Sequence, residues 1–89
     1  MEIKKEQEEL IINFGVFDYS AKKISSILEL KEDDIIKEMK NEKSKLNILL
    51  QKGKDMSDYV IDLKLFEQAK TGDIKALNKL DERKWDRNN

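Results

Sequence analysis

The sequence contains no cysteine, no histidine and no proline, and glycine occurs only at positions 15, 53 and 72. Without thiol or imidazole there are no disulfides, no Cys or His nucleophiles and bases, and no zinc site built on those ligands. The three glycines lie too far apart to form a phosphate-cradling loop. With proline absent and glycine rare, few positions forbid a helix. Apolar runs are short as well, the longest holding three residues, as in Leu10 to Ile12 and Ile48 to Leu50. A membrane span needs about 20 apolar residues and a signal-peptide core about 7–15, so neither is expected. These absences together point to a soluble, cytoplasmic, all-α protein without cofactors.

What is present is charge. Of 89 residues, 38% are apolar and 42% are charged, with 18 basic against 19 acidic side chains and a net charge of −1. Such a chain forms one domain with a modest core, residues 1–89. A chain of this size buries only about 60% of its unfolded surface, so association with other chains is expected to add stability. Residues 1–40 hold seven lysines against ten acids, while residues 41–89 hold eleven basic residues against nine acids. No strong positive field of the kind that gathers phosphates follows from this balance.

Helical spacing predicts about five helices. Ile3, Leu10, Ile11 and Phe14 share one stripe from Glu2 to Phe14, with Gly15 read as the residue that ends the helix. Ala21, Ile24, Ile27 and Leu28 form the apolar face of a second helix over 20–29, capped by Asp18 or Ser20. Glu32, Asp33 and Asp34 suit the positive end of a third helix over 32–40, with Ile35, Ile36 and Met39 inward. From Ser44 the row Leu46, Leu49, Leu50, Gly53, Met56, Val60, Leu63, Phe66 and Ala69 predicts one long helix to Lys70; a break near Gly53 is the rival. Thr71, Gly72 and Asp73 stop that helix and cap a last one, which ends near Arg83 or Lys84, with Trp85 docked back and the Asn-rich end frayed.

The stretch 24–35 fits a helix-turn-helix-like unit within 20–40. Ile24, Leu28, Leu30 and Ile35 have the spacing that wedges two helices together, and Ser25 is small where they approach. Two features depart from that motif. Glu29 stands where the turn usually has glycine, and the second helix carries Glu32, Asp33, Asp34 and Glu38 against Lys37 and Lys40, although acids repel phosphates. The stretch therefore also reads as a three-helix packing unit that touches no DNA.

A long helix with Lys52-Gly53-Lys54 in its middle follows. After it comes the segment Ala69-Lys70-Thr71-Gly72-Asp73, continuing through Ala76-Leu77 and Leu80 to Arg83, Lys84 and Trp85. Taken together, residues 18–85 resemble the small terminase subunits of tailed bacteriophages and their short phage-encoded relatives, with 65–85 the most specific piece. The resemblance implies a non-enzymatic subunit in the cytoplasm of a bacterial host. Such a subunit recognises double-stranded DNA, forms a ring-like homo-oligomer and works with a large terminase subunit or another phage protein in genome packaging. By position, Ser20, Lys22, Lys23, Lys31, Lys37 and Lys40 would lie on or beside the DNA-facing unit, and the long helix with its hairpin would span 44–84.

Other constellations are weaker. Asp55, Asp58 and Asp62 share one helix face, which Mg²⁺ or Ca²⁺ would require, but such a row between lysines is ordinarily solvated surface. Tyr19, Tyr59 and Trp85 are too scattered to make a base-stacking platform and read as anchors with a polar tip. Lys4 with Glu8 and Lys5 with Glu9 are i,i+4 pairs on a solvent face. Two other functions remain open: a phage or mobile-element protein-interaction module that does not bind DNA, and a small dimeric transcriptional regulator.

Overall fold

The computed structural model describes residues 1–88, which form five helices and no strand. They are α1 (Lys5–Val16), α2 (Ala21–Leu28), α3 (Glu32–Lys40), α4 (Lys45–Lys70) and α5 (Ile74–Asn88). The architecture is all-α, and no helix among the described residues is long and apolar enough to cross a membrane. Two compact units divide the chain, residues 1–56 and the part from Ser57 onward, so α4 contributes to both.

In the first unit the apolar stripes of four helices meet. Ile11, Ile12 and Phe14 from α1, Ile24 from α2, Ile35 from α3, and Leu46, Leu49 and Leu50 from α4 form the buried core. Ile3, Tyr19, Ala21, Leu28 and Met39 close over it. Side-chain caps set several helix starts. Gln7 Oε1 accepts the Lys4 backbone N–H at 3.0 Å, Ser20 Oγ accepts that of Lys23 at 3.2 Å, and Ser44 Oγ accepts that of Asn47 at 3.1 Å. Each satisfies a donor that the first turn would otherwise leave unpaired. The buried Ser44 also donates to the Glu38 carbonyl at 2.7 Å, tying α4 to the end of α3.

Gly15 does not end α1. It lies inside the helix, which continues to Val16, while the left-handed residue of the stop is Asp18 at φ 56°. The reason is packing. A Cβ on Gly15 would run into the Leu50 carbonyl, and one on Gly53 into the Ile12 carbonyl and the Val16 nitrogen. The two glycines let the backbones of α1 and α4 touch, which explains why α4 runs unbroken through Gly53.

Three helix ends share one closure. At each, a left-handed residue precedes an N–H that bonds back five residues: Tyr19 to Phe14 (3.0 Å), Leu30 to Ser25 (3.0 Å) and Asp73 to Gln68 (3.4 Å). This is the Schellman arrangement. The left-handed residues are Asp18, Glu29 at φ 57° and Gly72 at φ 96°. Only the last is glycine, the residue without steric cost in this region.

In the second unit the C-terminal half of α4 turns at Gly72 into α5, whose start Asp73 caps by accepting the Ala76 N–H at 3.1 Å. Ala76 and Leu80 are its buried apolar residues. Three expectations change here. α5 passes Lys84 and continues to Asn88, because Arg83 and Arg87, one turn apart, both reach back to Asp62 on α4. Trp85, expected to dock back onto the helices, is 68% exposed. The apolar row of α4 is buried only as far as Gly53; Met56, Val60, Leu63 and Phe66 are exposed. Of the Asn-rich end, Asn88 closes α5, and Asn89 lies outside the described residues.

Two substitutions test these features. Gly53→Ala forces backbone apart and is expected to destabilise the chain by about 1–3 kcal/mol in urea unfolding, as overpacking does. Glu29→Gly relieves a left-handed L-residue and is expected to raise stability by about 1 kcal/mol in the same assay.

Candidate nucleic-acid interface

The α2–turn–α3 unit follows from its burial pattern. Ile24 and Ile35 are fully buried and Ser25 is 8% exposed, so two isoleucines and a small residue form the wedge between the helices. The Ser25 hydroxyl donates to the Lys22 carbonyl at 2.8 Å, which satisfies it within its own helix. Glu29 takes the left-handed conformation expected of the turn glycine, and Leu30 stays exposed.

Around this wedge the five expected lysines, Lys22, Lys23, Lys31, Lys37 and Lys40, are all exposed. Lys22 and Lys23 occupy the first turn of α2, Lys31 immediately precedes α3, and Lys37 and Lys40 lie in the last turns of α3. Ser20 differs from the lysines. Its side-chain oxygen accepts the Lys23 N–H as the N-cap of α2, so its role in the fold is to start the helix that presents the two lysines.

The acids of α3 divide into two groups. Glu32, Asp33 and Asp34 are exposed in the first turn, where carboxylates favour the positive end of the helix dipole. Glu38 is half-buried and pairs with the Met1 ammonium at 3.4 Å. The exposed row of α3 therefore carries Asp33 and Asp34 near its start, and Lys37 and Lys40 near its end.

A small aromatic group adjoins Lys23. Tyr19 stacks on Phe14 with ring centroids 5.7 Å apart and lies 5.4 Å from Phe17, and the Lys23 ammonium sits 4.4 Å above the Tyr19 ring. Phe17 is 61% exposed. The clustering of Phe14, Phe17 and Tyr19 within six residues is the sequence signal for this group, which the scattered set Tyr19, Tyr59 and Trp85 does not capture.

The acidic row of α4 is not gathered around a common point. Asp55 accepts from the Gln51 side-chain amide at 3.0 Å. Asp62 accepts from Arg83 Nε at 2.6 Å and Arg87 Nη2 at 2.8 Å, while Asp58 accepts from Arg83 Nη2 at 3.2 Å. The hydrogen bond from Arg83 outweighs the desolvation of Asp62 and holds its carboxyl below the ordinary value of 3.8. Arg83 is correspondingly held in its charged form. No group of three acidic side chains with metal-binding geometry occurs among the described residues.

Comparison with known proteins returns no matching family model, no matching curated protein and no matching solved structure.

The Asp62 pairing has a pH signature. A carboxyl whose folded pKa is depressed stabilises fully above its unfolded value and loses that contribution as pH falls through the folded one. Asp62→Asn is therefore expected to unfold at lower urea than the parent chain near neutral pH. The gap should narrow below pH 3.8 and close on further acidification. A gap that stays constant through acid would show that the carboxylate charge contributes nothing.

Proposed function

We propose that this chain is a non-enzymatic, small-terminase-like protein that recognises double-stranded DNA through α2 and α3. It acts as a homo-oligomer, supporting genome packaging together with a large terminase subunit or another phage protein. The observation that supports the DNA reading is the α2–turn–α3 wedge: its left-handed turn at Glu29 and its inward Ile24, Ser25 and Ile35 leave Lys22, Lys23, Lys31, Lys37 and Lys40 in solvent. In such units the second helix enters the major groove and the first crosses the backbone, which assigns Lys22 and Lys23 to phosphates. Phosphate contacts position the protein without reading sequence. Lys37 and Lys40 extend the same role along α3.

A second reading rests on Glu32, Asp33 and Asp34. They are exposed at the N-terminal end of α3, the part of a recognition helix that meets base edges. Their charge favours a basic protein partner and supports an interaction module that does not bind DNA.

Salt dependence discriminates between the two readings. Duplex binding, followed by fluorescence anisotropy, is expected to weaken steeply with added salt. The double variant Lys22→Ala with Lys23→Ala should reduce the slope of log K against log salt by about 2. No binding at about 50 mM salt, where counterion release favours binding most, would overturn the DNA reading in favour of the interaction module.

A further inference from the structure

The turn between α1 and α2 holds an aromatic ring out in solvent on a fixed support. Asp18 takes the left-handed conformation, and Tyr19 folds back so that its N–H donates to the Phe14 carbonyl at 3.0 Å. The Phe17 N–H donates to the Asn13 carbonyl at 3.0 Å and that of Asp18 to the Gly15 carbonyl at 3.2 Å, so three backbone bonds close the turn. This closure brings three rings together. Phe14 is buried, Tyr19 stacks on it with centroids 5.7 Å apart, and Phe17 lies 5.4 Å from Tyr19 with 61% of its surface exposed. A ring held in this way can be stacked upon with little further loss of freedom, which is where binding energy is usually spent.

Cations adjoin the ring group. The Lys23 ammonium is 4.4 Å from the Tyr19 centroid, so it lies no further from the Phe17 ring than the two steps through Tyr19 together. Lys22 precedes it in the first turn of α2, and neither lysine forms an ion pair among the described residues. Asp18, the acid of the turn, is paired with Lys54 at 3.7 Å. The charge left for a ligand is therefore positive. A nucleotide matches both features, because it carries a π face and an anion joined through a sugar; an apolar protein side chain brings no anion. Stacking on an aromatic side chain serves any base. The bases of an intact duplex already stack on one another, and drawing one out costs least where it is unpaired.

We infer that Phe17 stacks an unpaired base, with Lys22 and Lys23 on the adjoining phosphates, so that the DNA this chain prefers is a duplex interrupted by a single-stranded base. The inference rests on the DNA recognition proposed above and narrows its substrate class. Fluorescence anisotropy at one salt concentration tests it with four probes of common sequence: an intact duplex, the duplex with one bulged adenine, the duplex with an abasic bulge, and a single strand. The bulged adenine is expected to bind roughly tenfold more tightly than the intact duplex, within the range of one base–aromatic stack, and the abasic bulge no more tightly than the intact duplex. Phe17→Leu keeps an apolar side chain without the ring and should abolish the preference, whereas Phe17→Trp should keep it. A preference shared by the abasic bulge belongs to duplex flexibility and would overturn the inference, as would one that survives Phe17→Leu. Equal binding to all three duplexes upholds DNA recognition and overturns the unpaired-base site. Single-strand binding that depends on Phe17, without binding to the intact duplex, upholds the site and overturns the duplex reading; no binding to any probe overturns both.

Discussion

The close approach of α1 and α4 at Gly15 and Gly53 is the constraint on which the first unit is built. Helices usually pack with axes 8–10 Å apart, the gap set by the side chains between them. Here neither helix has a side chain at the crossing, and a single Cβ on either glycine would meet the backbone of the other helix. Contact at that depth places Ile12 and Phe14 of α1 alongside Leu46, Leu49 and Leu50 of α4 in one core. The two helices become a platform against which α2 and α3 wedge through Ile24 and Ile35. The geometry of the lysine-bearing unit therefore depends on two residues that carry no side chain at all.

The near-zero net charge conceals a conflict within α3. The carboxylates of Glu32, Asp33 and Asp34 suit the helix N-terminus they occupy, and the same charges oppose the phosphate contact that the proposed DNA reading asks of this unit. The fold eases this conflict at one position by turning Glu38 toward the Met1 ammonium. The positive charge is concentrated instead at the first turn of α2 and the last turns of α3.

Much of the fold was legible in the sequence because it is encoded locally. Ser20, Ser44 and Asp73 cap the helices they precede, and the bounds of α3 and α4 follow from caps and spacing. Tertiary causes were not legible. Gly15 has the composition of a helix stop and the function of a contact, and nothing within a dozen residues of it reveals Leu50. The last turn of α5 depends on Asp62, 25 residues before Arg87. Spacing gave α4 one continuous apolar row, but it cannot tell which half of that row the chain itself covers. At the candidate site the lysines come from the resemblance by position, and charge balance alone does not single them out. Ser20 belongs to the same group by position in the resemblance, and its capping bond to Lys23 was legible from its place before the apolar face of α2.

Two of the three left-handed helix ends, Asp18 and Glu29, flank α2 on either side. Each costs more than the same joint would with glycine, about 1 kcal/mol or more, although Asp tolerates the region better than Glu. α2 is only eight residues long and is anchored to the core mainly by Ile24. The element that carries Lys22 and Lys23 is thus held at both ends by backbone joints that store strain. α2 is set like a sprung clip between two tight joints, while α1 and α4, locked at their glycines, serve as the fixed frame.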